Sequence, residues 1–112
     1  MARHHLHPES LELSVIIPAY NEAKLLPETI GKLREAMNSM ADTDWELIVC
    51  NNNSSDKTSE IAQELGARVV FEPDNQISKA RYRGVEIDTG KWLLFMDADT
   101  YFRHLEDGLW II

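Results

Sequence analysis

Two carboxylates separated by one residue, Asp97 and Asp99 of Asp97-Ala98-Asp99, follow directly on the apolar run Trp92-Leu93-Leu94-Phe95-Met96. Such a run reads as a buried strand, and strand residues i and i+2 point to the same side, about 6.6 Å apart at two rises of about 3.3 Å. Where a strand emerges into solvent, two carboxylates so placed suit a divalent cation that holds a diphosphate. Mg²⁺ and Mn²⁺ take oxygen ligands and are commonly bound by one or two carboxylates plus substrate phosphates. The same residue types also build plain strand-to-loop turns, so the triplet has to be weighed with the rest of the chain.

With 112 residues the chain has the length of one small domain. Its 44% hydrophobic and 27% charged residues are those of a globular protein, and no apolar stretch approaches the roughly 20 residues of a membrane span. The first residues, Met1-Ala2-Arg3-His4-His5-Leu6-His7-Pro8, contain no signal-peptide core, so the expected location is cytoplasmic. Residues 1–12 are expected to be a flexible N-terminal segment and 13–112 the folded unit. A net charge of -8 argues against nucleic acid or an anionic membrane as partner, since both rely on clustered Lys and Arg. A phosphorylated ligand would then need local help from a metal, from helix N-termini, or from the small basic group Lys79, Arg81 and Arg83. The lone cysteine, Cys50, lies in an apolar run and is expected to be a buried inert thiol.

The elements that must position the carboxylates follow from periodicity. Leu13-Ser14-Val15-Ile16-Ile17 is a strand ended by Pro18, and Leu26, Ile30, Leu33, Met37 and Met40 mark one helix face. Trp45 to Cys50 is a second strand, Thr58 to Leu65 a second helix stopped by Gly66, and Ala67 to Phe71 a third strand. Gln76 to Asp88 is a third helix with Ile77, Ala80, Gly84 and Val85 on one side. Trp92 to Met96 is the fourth strand, and a further helix is expected near His104. Near-continuously apolar strands alternating with helices predict a three-layer α/β/α fold on a mostly parallel, Rossmann-like sheet.

In this order Tyr20-Asn21-Glu22 follows strand one, Asn51 to Asp56 follows strand two, and Asp97 to Asp99 follows strand four. Open α/β sheets bind ligands at the carboxyl ends of their strands, where strand order reverses. If strands one and four are neighbours, Tyr20 and Asp97 flank that point, and the convergence favours a nucleotide site. No G-x-G-x-x-G follows the first strand and no G-x-x-x-x-G-K-[ST] occurs, which disfavours dinucleotide-dependent dehydrogenases and P-loop NTPases.

The chain closely resembles the family 2 glycosyltransferases, which have a GT-A fold and use a nucleotide-diphosphate sugar. The resemblance rests on Ser14-Val15-Ile16-Ile17-Pro18-Ala19-Tyr20-Asn21-Glu22, on Asn53-Ser54-Ser55-Asp56-Lys57-Thr58, on Ile77-Ser78-Lys79-Ala80-Arg81-Tyr82-Arg83-Gly84, and on Gly90 to Thr100 with its Asp97-Ala98-Asp99. It implies that Pro18, Tyr20 and Glu22 line the nucleoside pocket, that Arg81 faces the nucleotide, and that Asp97 lies near the ribose. It further implies that Asp99, with Asp97, holds Mn²⁺ or Mg²⁺ on the diphosphate. Where the family usually carries Asp-Asp-Gly this chain has Asn51-Asn52-Asn53, so Asn51 and Asn52 are the candidates for the base contact. An amide both donates and accepts whereas a carboxylate only accepts, which bears on base preference. Tyr82 stands where the family often has Asn.

The family's general base follows the D-x-D motif at a distance and is expected beyond Ile112, together with the acceptor surface. Glu106 and Asp107 are expected in the first turn of a helix instead. The expected function is therefore the donor- and metal-binding half of a truncated glycosyltransferase domain, with little activity alone, an unknown acceptor, and self-association through the truncated sheet edge. A non-catalytic nucleotide-binding or interaction module is the alternative. A sugar nucleotidyltransferase is disfavoured because Pro18 to Glu22 is not a Gly-rich basic loop.

Overall fold

Each strand of the main sheet shows its two faces in its alternation of side chains. β1 (Leu13–Ala19) sends Val15 and Ile17 to one face and Ile16 to the other, and β2 (Trp45–Asn51) divides Leu47 and Val49 from Ile48 and Cys50 in the same way. A strand apolar on both sides must be covered on both sides. The computed structural model, which describes residues 12–39, 43–87, 92–98, 103–104 and 110–111, supplies those covers. α1 (Leu26–Asn38) buries Leu26, Ile30, Leu33 and Met37, and with Ala62 of α2 (Thr58–Glu64) it packs on the Val15 face. α3 (Ile77–Ile87) brings Ala80 onto the Ile16 face.

β3 (Arg68–Phe71) and β4 (Trp92–Phe95) complete a four-stranded sheet of order β3-β2-β1-β4, every pair parallel. The expected three-layer α/β/α architecture is thus present. The first two crossovers step outward from β1 to β3 on one face. The third returns across the opposite face to place β4 on the free side of β1, so strand order reverses between β1 and β4.

Several expectations needed correction. The first strand does not end at Pro18 but runs to Ala19, with Pro18 in register with Cys50. The Ile16 carbonyl accepts the Met96 N–H, and backbone groups alternate sides along a strand, so the Pro18 nitrogen also faces β4, at the point where that strand's ladder has ended at Phe95. The missing N–H of proline therefore leaves no gap in the ladder. Arg103 and His104 themselves are not helical: β5 (Arg103–His104) pairs antiparallel with β6 (Trp110–Ile111), a cross-strand pairing that overrides local preference at these two residues, and residues 105–109 lie outside the described residues. Glu12 is tied into the sheet: its N–H reaches the Asp44 carbonyl and its own carbonyl accepts the Trp92 N–H. Val85 is exposed, as are Trp92, Leu93 and Phe95, because α3 lies over β1, β2 and β3 and leaves β4 as an edge. Met40, Asp88, Glu106 and Asp107 lie outside the described residues. Among the described residues no helix is long and apolar enough to cross a membrane.

Gly84 sets how closely α3 approaches the sheet: a Cβ there would meet Ile16 Cγ2 at 2.4 Å and Cys50 Sγ at 2.9 Å. Burial on this face pushes the Cys50 thiol up to about 12, so it is neutral and inert. Gly84→Ala is expected to destabilise the fold by about 1–3 kcal/mol through overpacking. Chemical denaturation checks this, and an unchanged midpoint would refute the close helix-sheet contact.

Candidate functional site

The loops at the carboxyl ends of β1, β2 and β4 meet in a cleft of about 270 Å³ lined by Pro18, Ala19, Tyr20, Glu22, Asn52, Asp97 and Ala98. Pairing of β1 with both β2 and β4 brings these segments together, and the Asn52 N–H donates to the Ala19 carbonyl at 2.8 Å to continue the ladder into the loops. Tyr20 is half exposed at the surface of the cleft. Of the residues expected at a ligand site, Pro18, Tyr20, Glu22, Asn52 and Asp97 are brought together. Asp99 lies outside the described residues.

Arg81 reaches the same place from α3. Its guanidinium lies 6.0 Å from the Phe95 ring centroid, and Nη2 stands 3.7 Å from Asp97 Oδ1. Both side chains are well exposed, so the pair adds little to stability. Its consequence is a cation held beside the carboxylate at the cleft rim.

The three consecutive asparagines have three different environments. Asn51 is spent on the loop: its Nδ2 donates to Ser59 Oγ at 2.6 Å and its Oδ1 accepts the Ser54 N–H at 3.0 Å. The structure therefore does not bring Asn51 to the cleft lining, because one end of its amide is occupied by the first turn of α2 and the other by the β2–α2 loop. Asn52 is 3% exposed, and its Oδ1 is buried with no hydrogen-bond partner among the described residues. Burying an acceptor unpaired costs roughly 1–3 kcal/mol, a cost that a ligand N–H would remove. Asn53 takes a left-handed backbone at φ 56° and ties the loop to the Pro73 carbonyl.

Residues that no motif or spacing singles out hold this arrangement. The buried hydroxyl of Thr29, in α1, donates to the Ala98 carbonyl at 2.6 Å and fastens the turn that carries Asp97. Glu72, 3% exposed, accepts from Arg83 Nε at 3.0 Å and from the Asp74 N–H, pinning the loop before α3. The only sequence signal for Thr29 was a hydroxyl on an otherwise apolar helix face. A second recess, of about 300 Å³, lies at the opposite end of β2, lined by Arg34, Trp45, Glu46 and Arg68 among others. Its charges are satisfied internally: Arg68 pairs with Glu46 at 2.8 Å, and Arg34 bonds the Leu65 carbonyl beside the Trp45 ring. Among the described residues it has no orphaned acceptor comparable with Asn52.

A divalent cation can be tested against this donor set. Among the described residues no group of three or more His, Cys, Asp or Glu is gathered for a metal. Asp97 nonetheless offers a hard oxygen at an open rim, and Mg²⁺ or Mn²⁺ needs only one or two protein carboxylates when phosphates complete the shell. The donor set fits.

Comparison with known proteins agrees with this geometry. The family description Glycosyl transferase family 2 matches residues 14–106. Glycosyltransferase AglD of Haloferax volcanii is 35% identical over 106 residues, which cover 87% of this chain and 17% of AglD. Among solved structures, TarS of S. aureus superposes with a TM-score of 0.70 at 26% identity, over 83% of this chain and 17% of TarS. Glucosyl-3-phosphoglycerate synthase of Mycobacterium tuberculosis, solved with Mn²⁺, UDP and phosphoglyceric acid, gives a TM-score of 0.61 at 26% identity, over 79% of this chain and 33% of the synthase. The chain thus spans a third or less of the length of these relatives.

Asp56 supports the cleft from behind and titrates. Its slight burial works upward, but hydrogen bonds from the Thr58 hydroxyl and from the Ala23 and Thr58 N–H groups outweigh it, and the carboxyl is held below its usual range. A lowered folded value means that these bonds contribute fully above the unfolded carboxylate range, near pH ~4, and are lost as pH falls through the folded value. Amide resonances of Ala23 and Thr58 are expected to stay constant from neutral pH to about 4 and to move together below it. A transition centred above that range would contradict the assignment.

Proposed function

Because the chain belongs to glycosyl transferase family 2, we propose that its cleft binds the nucleoside diphosphate of a sugar donor and that the chain is the donor-binding part of a glycosyltransferase. The observation that carries this reading is the buried Oδ1 of Asn52, unpartnered among the described residues, on a residue that lines the same cleft as Tyr20 and Asp97. An acceptor in that position calls for an N–H donor at the edge of a planar ring, and an exposed tyrosine beside it offers a face on which such a ring packs. Pro18 and Glu22 complete the wall, and the base contact falls to Asn52 rather than to Asn51.

Asp97, with Asp99, would hold Mn²⁺ or Mg²⁺, which when bound neutralises the diphosphate and the charge that develops on it as a leaving group. Asp97 orients the ribose side of the nucleotide, and Arg81 adds a fixed positive charge at the rim with a planar fork suited to phosphate oxygens. Thr29 keeps the Asp97-Ala98 turn in place by holding the Ala98 carbonyl. Together these residues bind and orient the donor.

Titration calorimetry with UDP, GDP and dTDP, with Mn²⁺ and with chelator, tests the reading. At least one nucleotide is expected to bind, and chelator is expected to weaken it by about tenfold or more, the equivalent of 1.4 kcal/mol. Asn52→Ala is expected to cost about 1–3 kcal/mol of the remaining affinity. Equal affinity in chelator would sink the metal role, and no binding by any of the three would sink the nucleotide site.

A further inference from the structure

Asn21 does not line the cleft, yet it stands between Tyr20 and Glu22, which do. Its backbone is left-handed, φ 52°, a region that side chains enter at a cost and that Asn tolerates better than most. The side chain then turns toward the β2–α2 loop. Its Oδ1 accepts the Ser55 N–H at 2.8 Å, the Ser55 hydroxyl at 3.3 Å and the Asp56 N–H at 3.3 Å, while its own N–H donates to Ser54 Oγ at 2.9 Å. The neighbouring residues bond in the same direction: the Glu22 N–H reaches Thr58 Oγ1 at 3.1 Å and the Ala23 N–H reaches Asp56 Oδ2 at 3.3 Å. Two loops more than 30 residues apart in the chain are fastened to each other here, and Asn21 supplies the central acceptor.

The fastened loop starts at Asn52, and the fastened turn carries Tyr20. We propose that Asn21 is a positioning residue for the nucleoside: by clamping the β2–α2 loop to the β1–α1 turn it sets the spacing between the Tyr20 ring and the Asn52 carbonyl oxygen. The inference rests on the nucleotide reading of the cleft. A ring held between an aromatic face and one buried acceptor tolerates little displacement of either, since hydrogen bonds weaken steeply outside their distance and angle range. Without the Asn21 side chain the bonds left between the two walls include the ladder bond from the Asn52 N–H to the Ala19 carbonyl, the bonds that Ser54 Oγ accepts from the Asn21 N–H and donates to the Ala19 carbonyl, and the flanking bonds of Glu22 and Ala23.

Three variants of the full chain separate this from a merely structural role. Asn21→Gly keeps the left-handed backbone without steric cost and deletes the acceptor. Asn21→Asp restores an acceptor, and Ser54→Ala removes the hydroxyl that accepts the Asn21 N–H and donates to the Ala19 carbonyl at 3.5 Å, two bonds of the same loop-to-turn fastening. Each is titrated with Mn²⁺ alone and with UDP, GDP and dTDP in Mn²⁺, beside a thermal melt. For the nucleotide that the unsubstituted chain binds best, Asn21→Gly is expected to bind about fivefold or more weakly, in line with the net worth of one lost hydrogen bond, and Asn21→Asp within about twofold of the parent. Affinity for Mn²⁺ alone is expected to stay the same in all, with cooperative melts. Unchanged nucleotide affinity in Asn21→Gly overturns the inference, as does a parallel loss of Mn²⁺ and nucleotide affinity, which marks general loosening. Should Asn21→Gly not melt cooperatively, Ser54→Ala decides: a selective nucleotide loss supports the clamp and parent-like affinity overturns it. An unsubstituted chain that binds none of the three nucleotides overturns the nucleotide reading itself and this inference with it, an outcome distinct from normal binding unaffected by Asn21.

Discussion

The parallel pairing of β1 with β4 is the constraint on which the rest depends. The bond from the Met96 N–H to the Ile16 carbonyl is the last of that ladder, and it delivers Asp97 to the side of Tyr20. Without it the acidic turn and the aromatic turn would be two unrelated polar loops. The pairing in turn requires that α3 cross the face opposite α1 and α2, and Gly84 permits the close approach of that helix over Ile16 and Cys50. A glycine on the far face of the sheet is thereby coupled to the geometry of the cleft.

Asparagine does several kinds of work around this site because its side chain is short, polar and uncharged. At Asn21 and Asn53 it accepts a left-handed backbone and bonds across to a neighbouring loop. At Asn51 it bonds a hydroxyl in the first turn of α2 and a backbone N–H in the loop that precedes it. At Asn52 it is buried, and there its neutrality matters most: an unpaired buried amide oxygen costs roughly 1–3 kcal/mol, whereas an unpaired buried carboxylate would cost considerably more or take up a proton. A neutral amide suits a position this deeply enclosed.

The charge distribution follows the same logic. Although the chain carries a net charge of -8, the cations near the cleft each meet a carboxylate partner: Arg81 faces Asp97, Arg83 is held by the buried Glu72, and Lys79 by Asp74. The Lys79, Arg81 and Arg83 group, which looks like one basic patch in the sequence, is thus divided by the helix. Only Arg81 is directed at the cleft rim, while the other two brace the loop that precedes α3.

The fold was legible in the sequence because it rests on local periodicity: apolar strands and amphipathic helices announce themselves in windows of a few residues, and their alternation fixed a parallel three-layer sheet. The polar clusters after strands one, two and four were legible too, since turn chemistry is local. The sequence did not divide the labour within Asn51-Asn52-Asn53, because three identical side chains differ only in the direction in which the loop points each one. Nor did it mark Thr29 as part of the site or Asn21 as a fastener between two loops, since their partners, Ala98 and Ser55, lie 69 and 34 residues away. The strand pair at Arg103–His104 escaped for the same reason, its helix preference being overruled by Trp110–Ile111. Element type is set by neighbours along the chain, whereas which side chain faces a ligand is set by contacts across it, and only the folded arrangement brings those contacts within hydrogen-bond reach.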